Sequence, residues 1–352
     1  MRLHDAENGL KACILATAVL ASILAAPSAL AQGDREYLAL FDRYANGETT
    51  DAAAALAAWP EARVREAVKS LDEELPLSAA RLRTAVLLHT EAAFVDPESK
   101  REAFHLDIAR SFVERLLNLP RVPSAVRDFA ARFHALWGVV YCTRGEPAIA
   151  QGQVYRGLTV DGSNAYVNLV AGALIEYRVG QAEPNPRGTW NVDPERIAVL
   201  KKQLHQAAQI YRGIVTNAPS FYEARLRLGW VLALNDSLDN AREQLEVVAA
   251  QATRPDLSYL AHMFLGSLHE RAKRPADATR EYEAARAVSP FQSSLMALMR
   301  IASARGDNER VRLLFGEISG IPPDQDDPWS FYSLCGITGD SLLDGLRAEA
   351  MR

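Results

Sequence analysis

Apolar residues recur at every third or fourth position along nearly the whole chain beyond its N-terminal segment. In segment 98–118, for example, Phe104, Ile108, Phe112 and Leu116 share one helical face, and charged residues mostly take the opposite face. This spacing is typical of amphipathic helices. Prolines interrupt the pattern at short intervals, and a proline disrupts the interior of a helix. The sequence therefore predicts an all-α protein of short helices joined by breaks.

A fixed spacing of small and large residues follows Gly266. Ala278 comes 12 positions later, Tyr282 comes 16 later, Ala285 comes 19 later and Pro290 comes 24 later. The small residues would let two helix backbones approach closely, and the large Tyr282 would fill the space beside that contact. Pro290 would end the second helix, because proline lacks the N–H that a helix interior needs. We expect a hairpin of two antiparallel helices here.

The same spacing recurs elsewhere in the chain. Gly138 and Gly172 are 34 positions apart, and Gly229 follows after 57, which is one repeat plus an insertion of 23. The pattern resembles the tetratricopeptide repeat (TPR), a helical hairpin of about 34 residues. The resemblance is good over 124–323 and weak over 34–118. It implies an all-α, right-handed α-α solenoid of stacked antiparallel hairpins, because one hairpin cannot bury its apolar face alone.

The N-terminal segment is typical of an export signal. Residues 12–26 form an apolar run that is broken only by Thr17 and Ser22, and a small-x-small motif ending at Ala31 follows. The run is shorter than the roughly 20 residues of a spanning helix. We therefore expect a signal peptide at 1–31 with cleavage after Ala31, and an exported chain that is periplasmic or extracellular. An uncleaved N-terminal anchor is the alternative.

The pattern predicts three further parts of the chain. They are degenerate helical hairpins at 32–122, TPR-like repeats at 123–325 with an insertion at 181–194, and C-terminal capping helices at 326–352. The Asp-Pro pairs at 193–194 and 327–328 each predict the start of a helix. Whether the first part is a separate domain stays open. The insertion is either a harmless surface loop or a contact loop anchored by Arg187 and Trp190.

Charge and cysteine content limit the partners and the stabilising devices. The net charge is -5 and no cluster of Lys and Arg occurs, so we expect no nucleic acid partner. No apolar run of the mature chain is long enough to span a membrane. Cys142 and Cys335 lie far apart in the sequence, and a solenoid separates distant repeats in space. We therefore expect no disulfide between them, since a disulfide needs Cα atoms within roughly 7 Å.

A search for catalytic motifs finds none. The sequence lacks His-Glu-x-x-His, Gly-x-Ser-x-Gly, a glycine-rich phosphate loop and Cys-x-x-Cys, so we expect no catalytic residue, no metal site and no cofactor. His134, His262 and His269 stand where the repeat places large packing side chains. Hydrogen-bonded core histidines are therefore expected at these positions, rather than metal ligands.

The remaining candidate site is the groove that the resemblance assigns to the first helix of each repeat. The side chains at groove-facing positions include aromatic, methionine and arginine residues, which are enriched at protein interfaces. They are Arg132, Tyr166, Leu169, Tyr177, Trp230, Met263, Glu270, Arg271, Met296 and Arg300. Packing between helices is the alternative role for the apolar members of this set.

The favoured interpretation is a non-enzymatic scaffold or adaptor of the cell envelope that binds a protein or peptide segment in this groove. Two alternatives stay open. The repeats could stack through their end faces into a structural homo-oligomer. Less favoured is an enzyme with a site under the 181–193 insertion, for which the sequence offers only Glu183 and Asp193 beside Arg187.

Overall fold

The computed structural model describes residues 32–74, 77–95, 100–180, 194–322, 325–332 and 339–350. All regular secondary structure in these ranges is helical, which confirms the predicted all-α class there. The expected signal peptide at 1–31 with its cleavage after Ala31, and the insertion residues Arg187 and Trp190, lie outside the described residues.

The helices are numbered in chain order. The first eight are α1 (Gln32–Ala45), α2 (Thr49–Ala57), α3 (Glu61–Glu74), α4 (Ala79–Val95), α5 (Lys100–Leu117), α6 (Ser124–Thr143), α7 (Pro147–Val160) and α8 (Ala165–Gly180). The others are α9 (Pro194–Asn217), α10 (Tyr222–Leu234), α11 (Leu238–Gln251), α12 (Pro255–Arg271), α13 (Pro275–Val288), α14 (Gln292–Ala304), α15 (Asn308–Ser319), α16 (Pro328–Tyr332) and α17 (Gly339–Ala350).

Prolines mark the beginnings of several helices as well as the breaks between them. Pro147, Pro255 and Pro275 each stand in the first turn of their helix, where the missing N–H of proline removes no helical hydrogen bond. Likewise α9 begins at Pro194 and α16 begins at Pro328, as the Asp-Pro pairs predicted. Helix starts are therefore encoded locally in this chain.

The chain forms two compact units. Among the described residues, unit 1 lies within 32–126 and 346–350, and unit 2 lies within 127–345. In unit 2, each helix from α7 to α14 packs against the next one along the chain. The alternate helices α8, α10 and α12 also contact one another in series. This is the packing of stacked antiparallel hairpins, so unit 2 has the predicted TPR-like solenoid fold.

The close helix contacts in unit 2 occur at the predicted glycines. A Cβ added at Gly229 would lie 2.7 Å from Leu245 Cγ, and one added at Gly266 would lie 2.7 Å from Tyr282 Cδ1. The Tyr211 ring approaches Gly172 in the same way. Any larger residue would push the second helix of the hairpin away, so these positions need glycine for space rather than for backbone conformation.

Unit 1 is arranged around α4. This helix packs against α1, α2 and α5, and its residues from Thr84 to Ala93 are all buried. The core of the unit contains polar side chains. The Tyr37 hydroxyl lies 2.6 Å from His89 Nε2, and His89 Nδ1 lies 3.0 Å from His105 Nδ1. Burial and the charge of Arg101 lower the pKa of His105 to about 4.

The last turns of α17 belong to unit 1. Arg347 Nε donates a 2.8 Å hydrogen bond to Glu91 Oε1 on α4, and the Tyr44 hydroxyl donates to the same oxygen. Burial, followed by the hydrogen bond to Glu91, raises the pKa of Tyr44 above its ordinary value. A C-terminal arginine therefore neutralises a buried carboxylate of this unit.

Two expectations about individual side chains have different outcomes. His134 is buried and hydrogen-bonded to Gln153 at 3.0 Å, as expected of a core histidine. His262 is hydrogen-bonded to Glu281 at 2.9 Å, but it is only half-buried. The expectation of no disulfide is wrong, because Cys142 takes part in one. Its partner lies outside the described residues.

The error about the disulfide has a physical reason. In a solenoid, residues far apart in the sequence are far apart in space only while each hairpin stacks beyond the previous one in the same direction. Here the chain returns after α15, and Tyr332 contacts Glu176, which stands 156 positions earlier.

No helix in the described ranges combines the length and the apolar character needed to cross a membrane.

Candidate binding site on the inner face of unit 2

The predicted groove residues lie on α6, α8, α10, α12 and α14, the first helices of successive hairpins. We call the side of unit 2 formed by α8, α10, α12 and α14 the inner face. Four predicted residues, Met263, Glu270, Met296 and Arg300, line one cavity on this face. Its volume is about 730 Å³, and Trp329 of α16 forms part of its wall.

The lining of this cavity combines apolar and charged side chains. Met263 and Met296 come from α12 and α14, and Met296 is 49% exposed. At the rim, Arg300 donates two 2.7 Å hydrogen bonds to the two carboxylate oxygens of Glu270, and the Tyr282 hydroxyl donates to Glu270 at 3.1 Å. The hydrogen bonds to Glu270 raise the pKa of Arg300, so the rim carries a fixed ion pair.

Aromatic rings are stacked beside the cavity. Trp230 of α10 stacks on Phe264 of α12, with ring centroids 4.5 Å apart. Phe264 also contacts the rings of Trp329 and Tyr332, at centroid distances of 5.0 and 4.9 Å. Such pairs favour offset or edge-to-face geometry and add to the stabilisation from burial. The short helix α16 is thus held on the inner face by its aromatic residues.

Charged groups are buried next to these rings. Arg227 of α10 is 1% exposed, and its Nη1 lies 3.2 Å from Glu176 Oε1. Its guanidinium carbon lies 4.8 Å from the centroid of the Tyr332 ring. The Tyr332 hydroxyl donates a 2.9 Å hydrogen bond to Glu176 Oε2, and the Tyr211 hydroxyl donates to Glu176 Oε1.

The pKa values in this cluster follow from burial and charge. Burial alone would lower the pKa of Arg227, but Glu176 and the neighbouring tyrosines outweigh it and the pKa is raised. Burial, opposed by Arg227 and Arg254, raises the pKa of Glu223. Burial and the Glu176 carboxylate raise the pKa of Tyr332 well above its ordinary value. Arg227 is therefore a permanent cation and Tyr332 a neutral donor.

The other predicted groove residues are not among those that line the cavity. Arg132 lies over the Tyr166 ring at 4.6 Å. Arg271 donates to the Ala233 carbonyl at 2.7 Å and to Asp236 at 3.1 Å. Leu169 is fully buried, whereas Tyr177 is half-buried on α8. The proposed roles of these residues in binding a partner stay predictions.

Sequence reasoning missed the residues that hold α16. Neither Phe264 nor Arg227 was predicted to lie at a binding surface, and Trp329 and Tyr332 fall within the predicted C-terminal capping helices at 326–352. The Asp-Pro pair at 327–328 predicted that a short helix begins there. The sequence carries no signal for the surface on which that helix lies, because the contact joins elements distant along the chain.

The arrangement provides a binding surface rather than a reactive centre. Within the described ranges, no group of three or more His, Cys, Asp or Glu residues is placed to hold a metal ion. The chemistry that the cavity offers is contact with methionine and tryptophan side chains at its wall and an ion pair at its rim. A ligand would be held there by burial of apolar surface and by polar contacts at the edge.

Comparisons with known proteins give structural matches alone. No family model and no curated protein matches the sequence. The structure of PilF from Pseudomonas aeruginosa is similar with a TM-score of 0.46 and 16% identity, over 64% of this chain and 90% of that chain. A human IFIT1 dimer with m7Gppp-AAAA gives a TM-score of 0.44 and 13% identity, over 82% of this chain and 67% of that chain.

The apo form of RapI is also similar, with a TM-score of 0.44 and 14% identity, over 90% of this chain and 85% of that chain. All three neighbours are helical repeat proteins of the tetratricopeptide type. TM-scores of this size carry no argument about ligands or activity. The assignment of the fold rests on the helix packing and the glycine contacts described above.

Proposed function

We propose that the protein is a non-enzymatic scaffold or adaptor of the cell envelope that binds a segment of another protein on the inner face of unit 2. The observation that carries this proposal is the cavity of about 730 Å³ lined by Met263, Met296 and Trp329 and edged by Arg300 and Glu270. Concave sites with apolar walls and a few polar groups are typical binding sites.

The side chains of the cavity suit a peptide ligand. Methionine is unbranched and adapts to differently shaped apolar groups. The side chain of Arg300 is 61% exposed although it is paired with Glu270, so its guanidinium is accessible to polar groups of a bound chain. Affinity is expected to be modest, on the order of micromolar, because an extended segment loses conformational entropy when it binds.

Cysteine chemistry supports the proposed location. Cys142 takes part in a disulfide, and disulfides persist mainly in oxidising compartments such as the periplasm or the extracellular space. This agrees with the export signal expected at 1–31, which lies outside the described residues. Fractionation of cells that express the full chain, followed by N-terminal sequencing of the recovered protein, tests both export and cleavage after Ala31.

A crosslinking pull-down from the native envelope tests the binding site. The bait is the mature chain, either wild-type or carrying Met296→Glu, which places a charge on the cavity wall. The matched control is Tyr155→Glu on α7, where a 72% exposed side chain lies outside the cavity lining. We expect the wild-type and control baits to retain the same partner and Met296→Glu to lose it.

The result that would overturn this assignment is equal retention of the partner by all three baits. In that case the inner-face cavity is not the contact surface. Circular dichroism of each bait, with its melting temperature, ensures that a loss of binding is not a loss of fold. Both substitutions replace partly exposed side chains, so large effects on stability are not expected.

A further inference from the structure

A segment of the chain itself already occupies part of the inner face. Asp327 precedes the five-residue helix α16, and its two carboxylate oxygens accept hydrogen bonds from the backbone N–H groups of Ser293, at 2.9 Å, and Trp329, at 3.0 Å. Ser293 lies in the first turn of α14, where free N–H groups and the helix dipole favour an anion. The acidic residue therefore anchors the segment at one end.

Two aromatic side chains hold the rest of the segment. Trp329 and Tyr332 both contact Phe264, at centroid distances of 5.0 and 4.9 Å. The Tyr332 hydroxyl reaches the buried Glu176 at 2.9 Å, and the Arg227 guanidinium lies against its ring. An isolated helix of five residues is not stable in water, so these contacts must order the segment. It behaves as a short ligand joined to its own receptor.

The segment leaves part of the site unfilled. Tyr332 is 9% exposed, but Trp329 is half-buried and forms one wall of the open cavity of about 730 Å³. Met263 and Met296 line the same cavity and contribute apolar surface to it. A longer segment that reproduced the contacts of α16 and also filled this space would bury more apolar surface than α16 does.

We propose that the segment Asp327–Tyr332 is an internal ligand that blocks the inner face, and that the partner carries a segment of the same chemistry. That chemistry is the acidic Asp327 together with Trp329 and Tyr332, two of the three aromatic residues that follow it, which stand three positions apart. The partner segment displaces α16 from Phe264, Glu176 and Arg227 and extends into the methionine-lined cavity. This inference rests on the proposed function and specifies its ligand.

A peptide-binding measurement tests the internal block. The probe is a fluorescein-labelled peptide that copies residues 325–332, with blocked ends. Its fluorescence anisotropy is titrated with the full chain, either wild-type or carrying Trp329→Ala and Tyr332→Ala together. We expect binding to the double variant, and binding at least about ten-fold weaker to the wild-type chain, because the tethered segment competes at a high effective concentration.

A second peptide serves as the matched control. It has alanine in place of its own tryptophan and tyrosine, and we expect it not to bind the double variant. Trp329→Ala alone is a second protein variant, chosen because the Trp329 side chain is half-buried and its removal leaves Tyr332 in place. It should bind the first peptide more tightly than the wild-type chain does and more weakly than the double variant does.

Three results would overturn the proposal. The first is equal binding of the peptide to the wild-type chain and the double variant, which would place it at another surface. The second is no binding to either variant while their helical circular dichroism is retained. The third is a wild-type dimer, detected by light scattering, that the double variant loses, since α16 would then occupy the site of a second copy.

Failure of this proposal is distinguishable from failure of the proposed function. If the Met296→Glu bait loses a partner but the peptide binds no form of the chain, the inner face binds its partner and α16 is a structural element. If the peptide binds the double variant but all baits retain the same partner, the internal ligand is confirmed and the partner binds elsewhere.

Discussion

Tyr332 donates a hydrogen bond of 2.9 Å to Glu176, a residue 156 positions earlier in the chain. This contact joins α16 to α8 across the inner face of unit 2. It also supplies a hydrogen-bond donor to the Glu176 carboxylate, which forms a buried ion pair with Arg227. The end of the repeat array is thereby connected to its middle, and the surface predicted to receive a partner is partly covered by the chain itself.

Removing this hydroxyl isolates the hydrogen bond from the stacking of the ring. The substitution Tyr332→Phe keeps the contact with Phe264 but removes the donor to Glu176. Since Glu176 retains Arg227 and Tyr211, we expect the free energy of unfolding to fall by about 1 kcal/mol, the size of one ordinary hydrogen bond. Urea denaturation followed by circular dichroism measures the change.

The control for this substitution is Tyr155→Phe on α7. The Tyr155 side chain is 72% exposed, so the change in the free energy of unfolding should stay within about 0.5 kcal/mol. Equal effects of the two substitutions would mean that the bond between Tyr332 and Glu176 contributes nothing to stability. The role of α16 as an ordered ligand would then rest on its rings alone.

The close approach of α12 and α13 depends on a single glycine. Gly266→Ala places a Cβ against the Tyr282 ring, 2.7 Å from its Cδ1. We expect a loss of about 1–3 kcal/mol of stability, as for other overpacked cores. Gly213→Ala in α9 is the matched control, because a Cβ there meets nothing within 4 Å. Alanine at that exposed helical position should stabilise by roughly 0.5–1 kcal/mol.

If Gly266→Ala were more stable than Gly213→Ala, the steric explanation for the glycine spacing would be excluded. The melting temperatures of the two variants and of the wild-type chain show which substitution destabilises the protein. If Gly266→Ala were neutral or stabilising, the small residue at this position would not set the distance between the two helices. The TPR-like spacing would then be a feature of the sequence without a packing cause.

The elements of the fold could be predicted from sequence because their signals are local. The apolar spacing within 98–118 predicted a helix that spans Lys100–Leu117, and the Asp-Pro pair predicted the start of α16 at Pro328. The spacing between Gly266 and Tyr282 predicted the contact of α12 with α13. Each signal lies within one helix or one hairpin, so it can be interpreted from the local sequence alone.

The contacts that join distant elements could not be predicted in this way. Arg227 has the charge of a surface residue, but it is 1% exposed because Glu176 from another hairpin meets it. The disulfide of Cys142 and the contact of the Trp329 ring with Phe264 could not be predicted for the same reason. Four predicted groove residues do line one cavity, since the resemblance placed them on one side of the first helices.

The histidine pair of unit 1 makes stability depend on pH. Burial and Arg101 lower the pKa of His105 to about 4, and burial and His105 lower the pKa of His89 below its ordinary value. The folded state therefore holds both rings neutral at pH values where the unfolded chain already binds protons. The stabilisation is fully present above the ordinary histidine pKa of about 6.5 and is lost as the pH falls toward about 4.

This pH dependence is measured by urea denaturation of the full chain between pH 7 and pH 4. We expect the free energy of unfolding to fall across this window, and to fall less in His105→Gln, which removes one of the two titrating rings. Carboxylates also titrate near the lower limit, so the difference between the two proteins is the informative quantity. Identical slopes would show that the pair does not titrate with folding.

Arg227 should be the most costly arginine to remove from the inner face. In Arg227→Ala, Glu176 and Glu223 lose the cation at their centre, and breaking a buried ion pair on one side costs about 3–5 kcal/mol. Arg242→Ala on α11 is the matched control. Its 39% exposed side chain pairs with Asp239 and Glu246 at the surface, so the loss there should stay below about 1 kcal/mol.

The cost of Arg227→Ala should also depend on pH. Burial already raises the pKa of Glu223, so without the guanidinium this buried carboxylate avoids its charge by binding a proton, which is easier at pH 5 than at pH 8. The difference in unfolding free energy between the variant and the wild-type chain should therefore be smaller at pH 5. Urea denaturation at both pH values measures this difference. An equal difference at both values would mean that lost packing around Arg227, rather than uncompensated buried charge, explains the destabilisation.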